Sequence, residues 1–418
     1  MESKTIKLYL FLLLTIFFIN FSSTLLANEQ ATHQTNDQAV YQSIVYPKIS
    51  LLTCDSGNEL YSTFGHSALR VYYPESGKDI VFNFGLFDFN TPYFYTKFVR
   101  GKLKYMLGIQ YTSDFIEQFK WEKRGVKEQI LNLTETQTQE LIDRLAVLYM
   151  PQNRYYYYSF LYKNCTSELR DIIFPLVALS KENYESKSAN VTYRELLNVH
   201  INGWTKFGIN LLLGSSLDRI TNSYESMFLP ENLYEGTALL YNGDAPLVSE
   251  NVYLYKAPES EKNISFIDSL ISPFIVFSLL FAVMLFVFIR GIVTGKKKLL
   301  YIFNNTYLGL ISLLGLVLIV IVLITEHTEL YANYNLLWCN PLFFFVLVAS
   351  FKRWRKAERL FCTISLLFIA LLQIVWAYGI QYVEPGFIPI VTTLALSFAI
   401  RLILPYSSGT IVKPTSSR

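Results

Sequence analysis

The chain has 418 residues, 52% of them hydrophobic and only 17% charged. A soluble globular protein is about a quarter charged, so an ordinary cytosolic enzyme, a disordered chain and a fibrous one are excluded. A net charge of +3 gives no footprint for nucleic acid, four cysteines are too few for a disulfide scaffold, and 30 tyrosines with 32 phenylalanines suit work against lipid.

The chain opens with Lys4 and Lys7 before an apolar run at 8–19, then a Ser/Thr stretch and Leu25-Leu26-Ala27 ahead of polar Asn28-Glu29. That layout predicts a signal peptide over 1–27, with an uncleaved anchor helix as the competing reading. Residues 28–45 read as a polar leader. From 46 to 265 the mix of charge, turns and short apolar runs predicts one exported α+β domain. Ala68–Tyr73 and Asp79–Gly85 are β-branched and aromatic and flank a Pro74-Glu75-Ser76-Gly77 turn, which reads as a hairpin. Thr134 with Gln137 has capping-box spacing, and Leu141, Leu145 and Leu148 share a helical face before Pro151. Thr192 with Glu195 starts a further short helix.

The segment from Tyr162 to Pro175 carries the chemistry. Leu169, Ile172 and Ile173 mark a helical face, Pro175 is expected to end it, and Asn164, or Cys165 with Glu168, caps its start. Cys165 therefore sits at a helix N-terminus, where free N–H groups favour a thiolate. A thiolate nucleophile needs a base, and the chain has four histidines. His33 falls in the leader, His200 reads as structural, and His327 lies between apolar stretches. His66, among small neighbours at the start of the hairpin, is the candidate. Asn83 on the partner strand, or Glu59, would orient its ring. The competing reading is a Cys54–Cys165 disulfide, since these are the exported cysteines and the compartment is oxidising.

Past residue 266 the composition changes. The stretches 269–289, 299–325, 330–351 and 360–383 hold no Asp, Glu, Lys or Arg, and a fifth, 387–404, is broken only by Arg401, which is expected to snorkel to an interface. Each of the first four exceeds the roughly 20 residues that cross a bilayer. Five transmembrane helices over 266–405 are expected, with a tail at 406–418. Arg290 with Lys296–Lys298, and Lys352, Arg353, Arg355, Lys356 and Arg359, mark cytoplasmic loops, which puts the preceding domain outside. The apolar stretch from Trp204 to Leu213 is too short to cross and either dips into the headgroups or packs as an ordinary helix. Trp204, His327, Asn335 and Trp338 are candidate substrate contacts near that interface, with Arg100, Lys102 and Arg124 as headgroup contacts. Cys339 and Cys362 read as packing residues. No metal-ligand spacing or nucleotide fingerprint is present, so no cofactor is expected.

These residues also carry a resemblance. The runs YSTFGHSALRV (61–71), DIVFNFGLFDFNTPYFYTKFVRGKLKY (79–105) and NRYYYYSFLYKNCTSELRDII (153–173) resemble the periplasmic domain of the Lnb-type lipoprotein N-acyltransferases. The likeness continues through WTKFGINLLLGSSLD (204–218), FLPENL (228–233) and HTELYANYNLLWCNPL (327–342). The order of His first, then Asn-Cys at a helix start, is similar to circularly permuted papain/NlpC-type enzymes and their lecithin–retinol acyltransferase relatives. The resemblance implies Cys165 as nucleophile and His66 as base. It implies an acyl chain moved from a glycerolipid or a diacylglyceryl lipoprotein to a lipoprotein's N-terminal amine, with Asn164 aiding the oxyanion. The third residue of the lecithin–retinol branch is a second His, absent here, which leaves Asn83 as the candidate. A bacterial inner-membrane location with the catalytic domain outside follows. An NlpC-like cell-wall peptidase and a non-enzymatic lipid-binding or assembly protein remain as alternatives. The acyl donor, the chain length and the oligomeric state are left open.

Overall fold

The computed structural model describes residues 46–177, 188–258 and 270–404. The expected signal peptide, leader and tail lie outside the described residues. The chain runs β1 (Lys48–Cys54), β2 (His66–Tyr73), β3 (Lys78–Leu86), α1 (Phe94–Val99), β4 (Lys104–Tyr111), α2 (Thr112–Trp121), β5 (Val126–Leu131), α3 (Glu135–Tyr149), β6 (Tyr155–Tyr157), α4 (Cys165–Leu176), α5 (Gly203–Leu212), α6 (Pro230–Ala238) and β7 (Val248–Tyr255). The seven strands form one antiparallel sheet in the order β7-β5-β1-β2-β3-β4-β6.

Strand alternation sorts the two faces. Leu51, Leu69, Val71, Phe82 and Phe84 point into a core with Leu141 and Leu145 of α3 and Leu169, Ile172 and Ile173 of α4. Leu52, Cys54, Ala68 and Val81 point the other way, against Phe115 and Phe119 of α2. The expected hairpin and both capping boxes, Thr134/Gln137 and Thr192/Glu195, are present. Pro175 does not end α4: it lies inside the last turn, and the helix runs on to Leu176.

The membrane part contains α7 (Pro273–Thr294), α8 (Lys298–Ile324), α9 (Phe343–Phe351), α10 (Arg355–Ala377) and α11 (Phe387–Ile403). Three of them, α7, α8 and α10, are long and apolar enough to cross a bilayer, and α11 is a shorter apolar helix. The stretch 330–351 departs from expectation. Its helix α9 has nine residues, about 13 Å at 1.5 Å per residue against a core of about 30 Å. The preceding residues form two 3₁₀ turns, Thr328–Leu330 and Tyr334–Leu337. The reason is polar: Asn333 donates to the Leu211 and Leu212 carbonyls, and Asn335 to those of Asn210 and Leu211, so this segment caps α5 instead of continuing as a helix. Arg401 also departs from expectation. It is 1% exposed and, instead of snorkelling, donates to Glu358, Asn304 and Asn305 inside the bundle. Cys339 and Cys362 are buried in the apolar packing.

The sheet domain is tied directly to the end of α8. Thr325 donates its hydroxyl to the Val99 carbonyl at 2.8 Å, the Glu326 N–H donates to the Arg100 carbonyl at 3.0 Å, and His327 Nε2 lies 3.0 Å from the Phe98 carbonyl. Gly101 (φ +68°) permits this approach, since a Cβ there would sit 3.4 Å from both Glu326 Cβ and the His327 nitrogen. A second joint is polar and buried. Arg194 holds Asp218 and Asn210, and Asn210 in turn donates to Glu384 of the loop between α10 and α11 at 3.0 Å.

Candidate active site

Cys165 is the first residue of α4, and Asn164 is the cap. The Asn164 amide oxygen accepts the N–H groups of Thr166 and Ser167, both at 2.8 Å, and its NH₂ donates to the carbonyls of Phe160 (2.7 Å) and Phe228 (3.0 Å). Its backbone N–H donates to Ser167 Oγ at 2.8 Å. Every polar arm of this side chain is thus used in holding the helix start. That makes Asn164 the residue that positions Cys165, and leaves its amide no proton free for a developing oxyanion.

His66 is the first residue of β2. Gly65 precedes it at φ +81°, where a Cβ would meet the Cys54 carbonyl oxygen at 2.8 Å, so the turn that delivers the histidine needs glycine. The ring stacks on Phe119 at 6.3 Å, and its Nε2 lies 2.7 Å from Asn83 Oδ1. An amide oxygen only accepts, so Nε2 carries a proton and Nδ1 is left for Cys165. His66 and Asn83 point to the α2 face of the sheet, whereas Cys165 belongs to the α4 layer. They meet because His66 stands at the strand end and β3 bulges beyond Asn83. In that bulge Gly85 (φ +88°) presents no side chain, and a Cβ built there would come within 3.6 Å of Cys165 Cβ. Glu59, the other candidate orienter, is exposed.

The two groups tune each other. Burial pushes the Cys165 thiol up, but the His66 charge, a side-chain hydrogen bond with His66, the Ser67 backbone and the Thr166 hydroxyl outweigh it and bring the thiol down to about 7. Burial lowers His66, and Arg124 adds to that, yet Cys165 and the Asn83 hydrogen bond hold the imidazole above its ordinary value. Both shifts run toward thiolate and imidazolium. Cys54 differs: it is 1% exposed, and burial pushes its thiol well up. Cys54 and Cys165 are free thiols, so the alternative disulfide is not present.

Some neighbours were not singled out in the sequence. Tyr156 of β6 has a buried hydroxyl that donates no hydrogen bond among the described residues; its phenol pKa is driven well up by burial and by Cys165, against a smaller opposing pull from the Gly85 backbone. Glu329, from the loop after α8, is 5% exposed and accepts from Ser159 at 3.0 Å. The Tyr155–Tyr158 run offered a signal, but only as a composition bias. Glu329 offered none, because its position depends on the joint between the two parts of the chain.

The expected substrate contacts are placed elsewhere. Trp338 and Asn335 are wholly buried, and Trp338 donates its indole N–H to Asn335 at 3.0 Å. Burial withdraws both from any substrate surface. His327 reaches the Phe98 carbonyl. Trp204 donates to the Ile271 carbonyl at 2.8 Å, beside the start of α7. Among the described residues, none of the four forms a hydrogen bond or ring contact with Cys165 or His66. Arg124 is 5% exposed and engaged with Asp55 and Glu122, which removes it as a headgroup contact.

Residues 36–199 match the family model of the Lnb N-terminal periplasmic domain, and residues 264–408 match that of the Lnb transmembrane domain. The chain belongs to the Lnb family. It is a membrane protein with a periplasmic domain. No curated protein and no solved structure matches it. In this Lnb protein, His66, Asn83, Asn164 and Cys165 all fall within the periplasmic match, Trp204 lies between the two matches, and His327, Asn335 and Trp338 fall within the transmembrane match.

Proposed function

We propose that this Lnb protein is an N-acyltransferase that forms a thioester on Cys165 and passes the acyl chain to the N-terminal cysteine amine of a lipoprotein. The observation that carries this reading is the Cys165–His66–Asn83 relay, built on a domain hydrogen-bonded to the end of a membrane-spanning helix. A cell-wall peptidase would use the same pair on a water-exposed peptide, and the anchoring of residues 98–101 at the helix end favours a lipid substrate instead.

Thiolate sulfur attacks an ester carbonyl of the donor lipid, and the carbonyl π electrons move to oxygen. When they return, the C–O bond breaks and the leaving alkoxide takes the proton from His66 Nδ1, giving a thioester and a neutral imidazole. The acceptor ammonium gives its extra proton to bulk water, and the neutral amine attacks the thioester. His66 takes a proton from the resulting adduct, and the C–S bond breaks to give an amide and restore the thiolate. The Cys165 backbone N–H and the Tyr156 hydroxyl are the donors for the oxyanion, and each such donor is worth about 2.7–4 kcal/mol of barrier. Transfer outruns hydrolysis only where water is excluded, which suits a site at the membrane surface. The chain order of His strand, then Asn-Cys helix, supports a permuted papain/NlpC-like core.

Under this reading residues 46–265 form the catalytic domain on the outer side of the bacterial inner membrane. Residues 266–405 form the membrane part, with the stretches 330–351 and 387–403 completing a bundle of five apolar segments. The test is the mass of a lipoprotein's N-terminal peptide in cells that carry the wild-type chain, Cys165→Ser or His66→Ala at equal protein level. Loss of the N-linked acyl mass in both variants is expected. A normal mass in either one removes that residue from the mechanism.

A further inference from the structure

A cavity of about 830 Å³ opens at the end of the sheet where β3, β4 and β6 meet, walled among others by Leu86, Tyr157, Lys97, Arg100, Lys102 and Lys104. It has the volume of a small-molecule site. Four cations share its wall with one carboxylate, Asp88, whose Oδ1 is occupied by the backbone N–H and the side-chain NH₂ of Asn90. Lys102 is paired with Glu326 at 2.8 Å, and Lys104 lies 5.8 Å from the centroid of the Tyr157 ring. Among the described residues neither Lys97 nor Arg100 has an ion pair. The wall therefore carries an uncompensated positive field that calls for an anion.

Two further placements identify that anion. First, the cavity adjoins the reactive thiol: Gly85 faces Cys165, and the next residue, Leu86, lines the cavity, a Cα step of about 3.8 Å. In a glycerophospholipid the phosphate and the ester carbonyls are likewise separated by only a few bonds. Second, the basic rim sits at the bilayer surface, because residues 98–101 are bonded to Thr325, Glu326 and His327 at the end of α8. The rim also exposes Tyr93, Tyr95 and Phe98, aromatic side chains suited to the headgroup level.

We infer that this cavity is a phosphate-binding subsite that seats the headgroup of a glycerophospholipid and brings its ester to Cys165. The inference rests on the proposed acyl transfer for its purpose, but its test does not. Arg100 supplies a planar fork for phosphate oxygens and Lys97 a point charge.

The experiment uses the full chain in neutral detergent with Cys165→Ala to stop turnover. It is titrated with dihexanoyl phosphatidylglycerol and, separately, with dihexanoylglycerol, which has the same acyl esters and no phosphate. Saturable phospholipid binding is expected, weakened at least ten-fold by Lys97→Gln with Arg100→Gln, while binding of the diacylglycerol stays unchanged. α1 has no buried residue, and Arg100, just beyond its end, is exposed, so this pair of changes leaves the fold intact. Phospholipid binding equal to the parent in the double variant, or equal loss for both lipids, overturns the subsite. A ten-fold excess of inorganic phosphate is expected to leave most of the lipid bound; displacement at equal concentration makes this a free-phosphate site and overturns the headgroup assignment.

The intact mass of the chain with Cys165 restored separates the two readings. Acylation of Cys165 from phospholipid that is indifferent to the Gln pair overturns the subsite and leaves acyl transfer standing. Headgroup binding that depends on Lys97 and Arg100, in a chain whose Cys165 never gains an acyl group, supports the subsite and overturns the transfer.

Discussion

His66 Nε2 and Asn83 Oδ1 stand 2.7 Å apart across neighbouring strands, and this contact fixes which ring nitrogen is free to meet Cys165. A hydrogen bond to a charged group contributes about 1.5–3 kcal/mol, so Asn83→Leu is expected to slow Cys165 acylation about ten- to a hundred-fold. Asn83→Asp keeps an acceptor at the same place and is expected to recover most of the rate. Single-turnover acylation, followed by intact mass, checks both. Equal loss in the two variants would mean that Asn83 acts through the fold and not through the imidazole.

The thiol brought down to about 7 has a direct reporter in its reaction with iodoacetamide, which requires the thiolate. The rate at the Cys165 peptide is expected to rise with pH around a midpoint near 7, below the usual ~8.5 of a free thiol. His66→Asn removes the main opposition to burial, so the midpoint is expected to move up. Cys54, whose thiol burial drives the other way, is expected to stay unlabelled across the same range. A midpoint at 8.5 in the wild-type chain would refute the ion pair.

Tyr156→Phe deletes one buried hydroxyl and leaves the ring in place. If that hydroxyl meets the oxyanion, thioester formation is expected to fall about 10²–10³-fold, while the iodoacetamide profile of Cys165 stays as in the wild type. A parallel fall in both would locate the effect in the thiol, not in the tetrahedral intermediate.

Asn335→Leu tests the joint. Removing this amide takes the side-chain donor from the Asn210 carbonyl and the acceptor from the Trp338 indole N–H, while the Leu211 carbonyl keeps Asn333; the cost is about 1–3 kcal/mol for each unsatisfied group. Thermal unfolding in detergent is expected to shift downward, and KM for the lipid is expected to hold in the fraction that remains folded. A raised KM with unchanged unfolding would return Asn335 to the substrate surface.

Local signals were the legible ones. Asn164 before Cys165, Thr134 with Gln137, and Thr192 with Glu195 declare helix starts in three or four residues, and all three starts stand. The hairpin was equally plain from its turn. What the sequence concealed depends on long-range geometry. The stretch 330–351 has the composition of a span, but Asn333 and Asn335 find the carbonyls of α5, more than 120 residues away, and this competition breaks the helix. Arg401 reads as an interfacial charge until Glu358 is found beside it. Strand alternation alone would put His66 and Cys165 on opposite sides of the sheet, and only the bulge at Gly85 reveals how they meet.

The tie between residues 98–101 and the end of α8 contains no slack: three consecutive residues, Thr325, Glu326 and His327, grip it through direct bonds. A rigid mount of this kind works as a depth gauge. Under the proposed acyl transfer it sets how far above the hydrocarbon the sulfur stands, so that selection would act on where a carbonyl lies along the lipid. Fatty chains that differ only toward their methyl ends would offer the same bond at the same height, so this mount by itself would not tell them apart.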